Sequence, residues 1–81
     1  FEEYLTRMTR EYNQDTTNHP KDIMLWIDFI NFQDQYLLLG KKQSKAAIID
    51  KKISIYKKAL EYNPNAERLL LGMLREVSQL W

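Results

Sequence analysis

The sequence predicts an all-α fold of antiparallel helical hairpins. Apolar residues recur at three- and four-residue steps in four segments, strand-like alternation is missing, and only two glycines and two prolines interrupt the chain. The four segments also read as two copies of one helix-turn-helix unit, displaced by 44 residues. Under that shift Tyr12 falls on Tyr56, Pro20 on Pro64, Trp26 on Leu70, Phe29 on Met73 and Ile30 on Leu74. Leu5 falls on Ile49 and Tyr36 on Leu80, whereas Met8 meets Lys52 and breaks the correspondence. A helical hairpin repeated at this spacing marks an α-solenoid, here with residues 1–40 as the first repeat and 44–81 as the second.

The first helix is expected from Phe1 to about Asn18, where Phe1, Tyr4, Leu5, Met8 and Tyr12 form its apolar stripe. Asn18-His19-Pro20 ends it, because a residue before proline avoids the α region. The second helix is expected from about Asp22 to Leu39. Ile23, Trp26, Ile27, Phe29, Ile30, Phe32 and Tyr36 make an arc too wide for a two-helix seam. Pro20 suits its entrance and Asp22, in the first turn, the positive end of its dipole. Gln33 lies inside the arc and must find a hydrogen-bond partner or cost about 1–3 kcal/mol. Gly40 is the expected C-cap.

Ser44 is the expected N-cap of a third helix, Lys45 to about Tyr62, whose apolar arc is Ile48, Ile49, Ile53, Ile55, Tyr56, Ala59 and Leu60. Lys52 points into that arc, with its stem expected along the core and its ammonium at the edge. Asn63-Pro64-Asn65 turns the chain into a fourth helix, Ala66 to Trp81. Its arc comprises Leu69, Leu70, Met73, Leu74, Val77, Leu80 and Trp81, and Gly72 within it suits a close helix approach.

Eighty-one residues, 44% hydrophobic with ten aromatics, suffice for one small core. A chain that opens in a helical pattern at Phe1 reads as a segment of a longer protein. Without cysteine there is neither a disulfide framework nor a thiolate metal site. No apolar run approaches the ~20 residues a membrane helix needs, so no membrane partner is expected. The net charge of +1 hides an uneven distribution: −4 over residues 1–40, +6 over 41–58 and −1 over 59–81.

Two stretches carry a family resemblance. IYKKALEYNP, from Ile55 to Pro64 and including Tyr56, Ala59 and Leu60, resembles the first helix of a half-a-tetratricopeptide (HAT) repeat. PKDIMLWIDFINFQD, from Pro20 to Asp34, resembles the second helix, with Trp26, Phe29, Phe32 and Gln33 at its W-x-x-[YF]-x-x-F-[EQ] positions. Together with Tyr12-Asn13 and His19-Pro20, their order is similar to the helical region of the nuclear-RNAi-defective family. Gln33 stands where many HAT repeats have Glu, and Leu70 where the second copy would have Trp. The resemblance implies a nuclear scaffold in RNA processing and silencing, with splicing factors, the exosome-linked RNA helicase and further HAT repeats as partners.

No catalytic constellation emerges from the residues, and neither an enzyme nor a cofactor is expected. His19 is the only histidine, Ser44, Ser54 and Ser78 have no adjacent base, and Gly40 and Gly72 stand apart from any phosphate-cradling loop. Glu2, Glu3 and Asp15 read as solvated helix surface. Two surfaces are candidates for binding. Lys41, Lys42, Lys45, Lys51, Lys57 and Lys58 would serve RNA phosphates or an acidic partner, or else form a solvated face. Leu70, Met73, Leu74, Val77, Leu80 and Trp81 are more apolar surface than one hairpin can cover. The next repeat, self-association or a partner helix would each cover it.

Overall fold

The computed structural model describes residues 2–39 and 43–80. They form α1 (Glu2–Asn18), α2 (Ile23–Phe32), the single turn α3 (Gln35–Leu38), α4 (Lys45–Tyr62) and α5 (Glu67–Ser78). The expectations for Phe1, Gly40, Lys41, Lys42 and Trp81 lie outside the described residues. None of the helices is long and apolar enough to cross a membrane.

Local chemistry explains most of the boundaries. Glu2 and Glu3 occupy the positive end of α1. At its other end the hydroxyls of Thr16 and Thr17 donate back to the carbonyls of Tyr12 and Asn13, at 2.8 and 2.7 Å, before the His19-Pro20 turn. Asp22 lies one residue outside α2 rather than in its first turn. There its carboxylate accepts the Leu25 N–H at 3.2 Å as an N-cap. Ser44 caps α4 in the same way, accepting the Ala47 N–H at 3.0 Å. α5 is shorter than expected: Gln79 and Leu80 donate to Glu76 and Val77, so the last turn tightens to a three-residue step.

The expected second helix is broken rather than continuous. At Gln33 the backbone N–H donates to Ile30 instead of Phe29, and Asp34 likewise donates to Asn31. The Phe29 carbonyl thus released accepts the Gln33 side-chain amide at 3.1 Å. The buried amide therefore meets its hydrogen-bond requirement by replacing one rung of the ladder, and α3 resumes two residues later.

Each long helix packs on the next in chain order, α1 on α2, α2 on α4 and α4 on α5, within a slab of 36 × 34 × 14 Å. This is an all-α helical repeat arrangement of two successive hairpins. Leu5, Trp26, Phe29, Ile30, Phe32, Ile55, Tyr56, Ala59 and Leu69 form the core. Tyr12 stacks on Phe29 at 5.2 Å, and the Tyr36 hydroxyl meets Thr9 Oγ1 at 2.8 Å, closing the first hairpin.

Candidate functional site

The family-motif residues form joints of the fold. The Trp26 indole donates to the Pro20 carbonyl at 2.8 Å and stacks on Tyr62 of α4. Ala59 is fully buried and lets α4 approach the core closely, while Leu60 is half-buried and Pro64 exposed in its turn. Gly72 serves the close approach its position suggested: a Cβ there would lie 2.5 Å from the Tyr56 hydroxyl and 2.8 Å from ring carbons.

Lys52 departs from the expectation of an ammonium merely reaching the edge. Its Nζ lies 2.8 Å from Asp34 Oδ1 and 3.5 Å from Glu76 Oε1, and the residue is buried. Burial pulls its pKa down, but the Asp34 hydrogen bond and the Glu76 charge outweigh this and raise it above the ordinary lysine value. Glu76 Oε2 is buried without a hydrogen-bond partner. The signal for this ion cluster was the lysine inside an apolar arc. Its counterions, on the α2–α3 turn and on α5, are remote in sequence.

The four described lysines of the basic candidate set do not all share one flank of α4. Lys45, Lys51, Lys57 and Lys58 are all exposed. Lys51 and Lys58 share the rim of a small groove of about 120 Å³ above Trp26 and Phe29, whereas Lys57 lies about 100° round the helix from Lys58. A surface concavity of about 670 Å³ runs along α1 between Thr6 and Asn18 and is lined by that helix alone. Among the described residues no three His, Asp or Glu side chains gather at metal-binding distance.

α5 leaves several large apolar side chains open. Leu69 turns inward and is fully buried, and Met73 and Val77 are half-buried. Leu70, Leu74 and Leu80 remain 44%, 52% and 45% exposed. Their counterparts 44 residues earlier are Trp26 and Ile30, each 1% exposed, and the half-buried Tyr36. In the first hairpin Trp26 stacks on Tyr62 of α4 and Tyr36 meets Thr9 of α1; in the second the same register is exposed.

Residues 7–81 match the family described as "NRDE-2, necessary for RNA interference". The chain is 33% identical over 73 residues to the nuclear exosome regulator NRDE2 of Dictyostelium discoideum, an alignment covering 88% of this chain and 6% of that protein. Proteins of the same name from Mus musculus and Homo sapiens are 28% and 27% identical, each over 95% of this chain and 8% of their own length. The chain thus spans less than a tenth of the relatives it matches. No solved structure matches it.

Proposed function

Since this chain belongs to the NRDE-2 family, we propose that it is a non-catalytic scaffold segment of a nuclear RNA-processing protein, seating a neighbouring helical hairpin or protein partner on α5. The observation that carries this reading is the exposed register of Leu70, Leu74 and Leu80, set against the buried Trp26 and Ile30 and the half-buried Tyr36. Repeat hairpins bury one face against each neighbour, and a terminal repeat is ordinarily polar on its outer side. A face of leucines at those positions suits an interface. Splicing factors and the exosome-linked RNA helicase are the partners the family resemblance favours, acting in RNA surveillance and silencing within the nucleus.

The test is affinity purification of the parent protein with this segment intact, deleted, or carrying Leu70→Glu with Leu74→Glu. Loss of the same protein partners from the deletion and the double variant is the expected result. An unchanged partner set in both would overturn the scaffold reading. Loss of RNA alone, restored at low salt, would favour direct RNA contact through Lys51 and Lys58 instead.

A further inference from the structure

Between α2 and α5 a second surface differs in chemistry from the leucine face. Ile27, Leu71 and Gly72 form the floor of a groove of about 280 Å³, with Tyr56 beneath and Asn31, Arg68 and Arg75 around it. Neither arginine has a carboxylate partner among the described residues: Arg68 contacts only the Met24 sulfur, at 3.2 Å, and the ion pairs found belong to Lys52. The neighbouring carboxylates are turned elsewhere. Glu76 faces Lys52, and neither Asp28 nor Glu67, both exposed, pairs with Arg68 or Arg75. Two guanidinium groups thus flank an aliphatic floor with no ion-pair partner among the described residues.

We propose that this groove docks a short acidic segment of a protein partner, two carboxylates meeting Arg68 and Arg75 and an aliphatic side chain between them resting on Ile27 and Leu71. Guanidinium groups match carboxylates in planar two-point geometry. Seven residues along a helix place the arginine Cα atoms about 10 Å apart. In an extended peptide the side chains at i, i+2 and i+4, about 13 Å end to end, share one face, a span that two long arginine side chains reach. Asn31 adds a neutral amide at the rim. Gly72 lets α5 seat closely on Tyr56, where a Cβ would collide, and so closes the groove from beneath. The lining favours peptide over RNA, because single-stranded RNA needs exposed aromatic faces for its bases. The only ring here, Tyr56, is 8% exposed.

The probe is a fluorescein-labelled peptide containing Glu-Ser-Leu-Ser-Asp, titrated against the 81-residue chain by fluorescence anisotropy. Its Gln-Ser-Leu-Ser-Asn analogue and a uridine oligonucleotide of matched charge are run beside it. We expect the acidic peptide to bind, the amide analogue to bind about tenfold more weakly, and Arg68→Gln with Arg75→Gln to lower affinity by a similar factor. Lys51→Gln with Lys58→Gln should leave peptide binding unchanged, as should Leu70→Glu with Leu74→Glu, which separates this groove from the leucine face. Circular dichroism is run on each variant, so that a loss of binding counts only where the helix content is kept. No binding to the folded chain, or undiminished binding to the folded double-arginine variant, would overturn the proposal. So would an oligonucleotide that binds more tightly than the peptide and depends on the same two arginines.

Discussion

The side-chain amide of Asn63 donates to the carbonyl of Pro20 at 2.8 Å, joining turns 43 residues apart. That carbonyl also accepts the Trp26 indole, and Asn63 returns a second bond to Ala59 of its own helix. One backbone oxygen thus ties the entrance of α2 to the end of α4. Asn63→Ala removes both amide bonds and should cost about 1–3 kcal/mol in chemical unfolding. Trp26→Ala removes a fully buried ring as well and should cost about 3–5 kcal/mol, enough to abolish a cooperative melt in a domain this small. A melting temperature lowered by only a few degrees in Trp26→Ala would contradict the burial of the ring.

Gly72 sets two effects against each other. Alanine gains about 1 kcal/mol of helix propensity over glycine. Its methyl group would, however, lie 2.5 Å from the Tyr56 hydroxyl, and overpacking costs about 1–3 kcal/mol. Gly72→Ala should therefore be neutral to destabilising, while Gly72→Ala with Tyr56→Phe, which removes the nearest atom, should recover part of the loss. A clear gain from Gly72→Ala alone would show that α4 and α5 stand further apart.

The Lys52 cluster yields a mutational and a pH prediction. Lys52→Met, which restores the residue type of the matching position Met8, should destabilise by about 3 kcal/mol, because Glu76 is then left without its cation. Adding Glu76→Leu should restore much of it. The folded-state pKa values of Lys52, Tyr12 and Tyr56 are all raised from ordinary values of 10.5, 10.0 and 10.0. For the tyrosines the main cause is burial. The unfolded chain therefore loses these protons first, so their contribution is complete below about pH 10 and is lost as pH rises through the folded values. Urea melts from about pH 8 to 11 should show this alkaline loss, and Lys52→Met should make it shallower. A profile of the same steepness in Lys52→Met would show that the cluster contributes nothing to it.

The open register of α5 predicts behaviour in solution. Covering about 300 Å² of the face around Leu70, Leu74 and Leu80 would contribute about 7 kcal/mol gross, less the costs of association. The isolated chain should therefore self-associate at high micromolar concentration. Leu70→Glu with Leu74→Glu should render it monomeric in sedimentation with its helix content unchanged. A clean monomer for the unaltered chain would remove this argument.

Much of this architecture follows from residues close in sequence. The span Lys45–Tyr62, the Ser44 cap, the His19-Pro20 and Asn63-Pro64 turns and the aromatic face of α2 rest on apolar periodicity and on side chains capping nearby backbone groups. The 44-residue register was legible as well, and with it the family resemblance. Helix rotation was not. Which leucine of α5 enters the core depends on how α4 is shaped around Tyr56, so Leu69 is buried and Leu70, the register match of Trp26, is open. Gln33 announced only that it needed a partner; the crowded core determined that the partner would be the Phe29 carbonyl, at the expense of the helix. Thr16 carried no apolar signal and is buried all the same. Periodicity records the direction of a side chain from its own helix axis. Only the packed neighbours decide whether that direction meets another helix, a counterion or water, as they do for Lys52 between Asp34 and Glu76 and for Arg68 and Arg75 beside their groove.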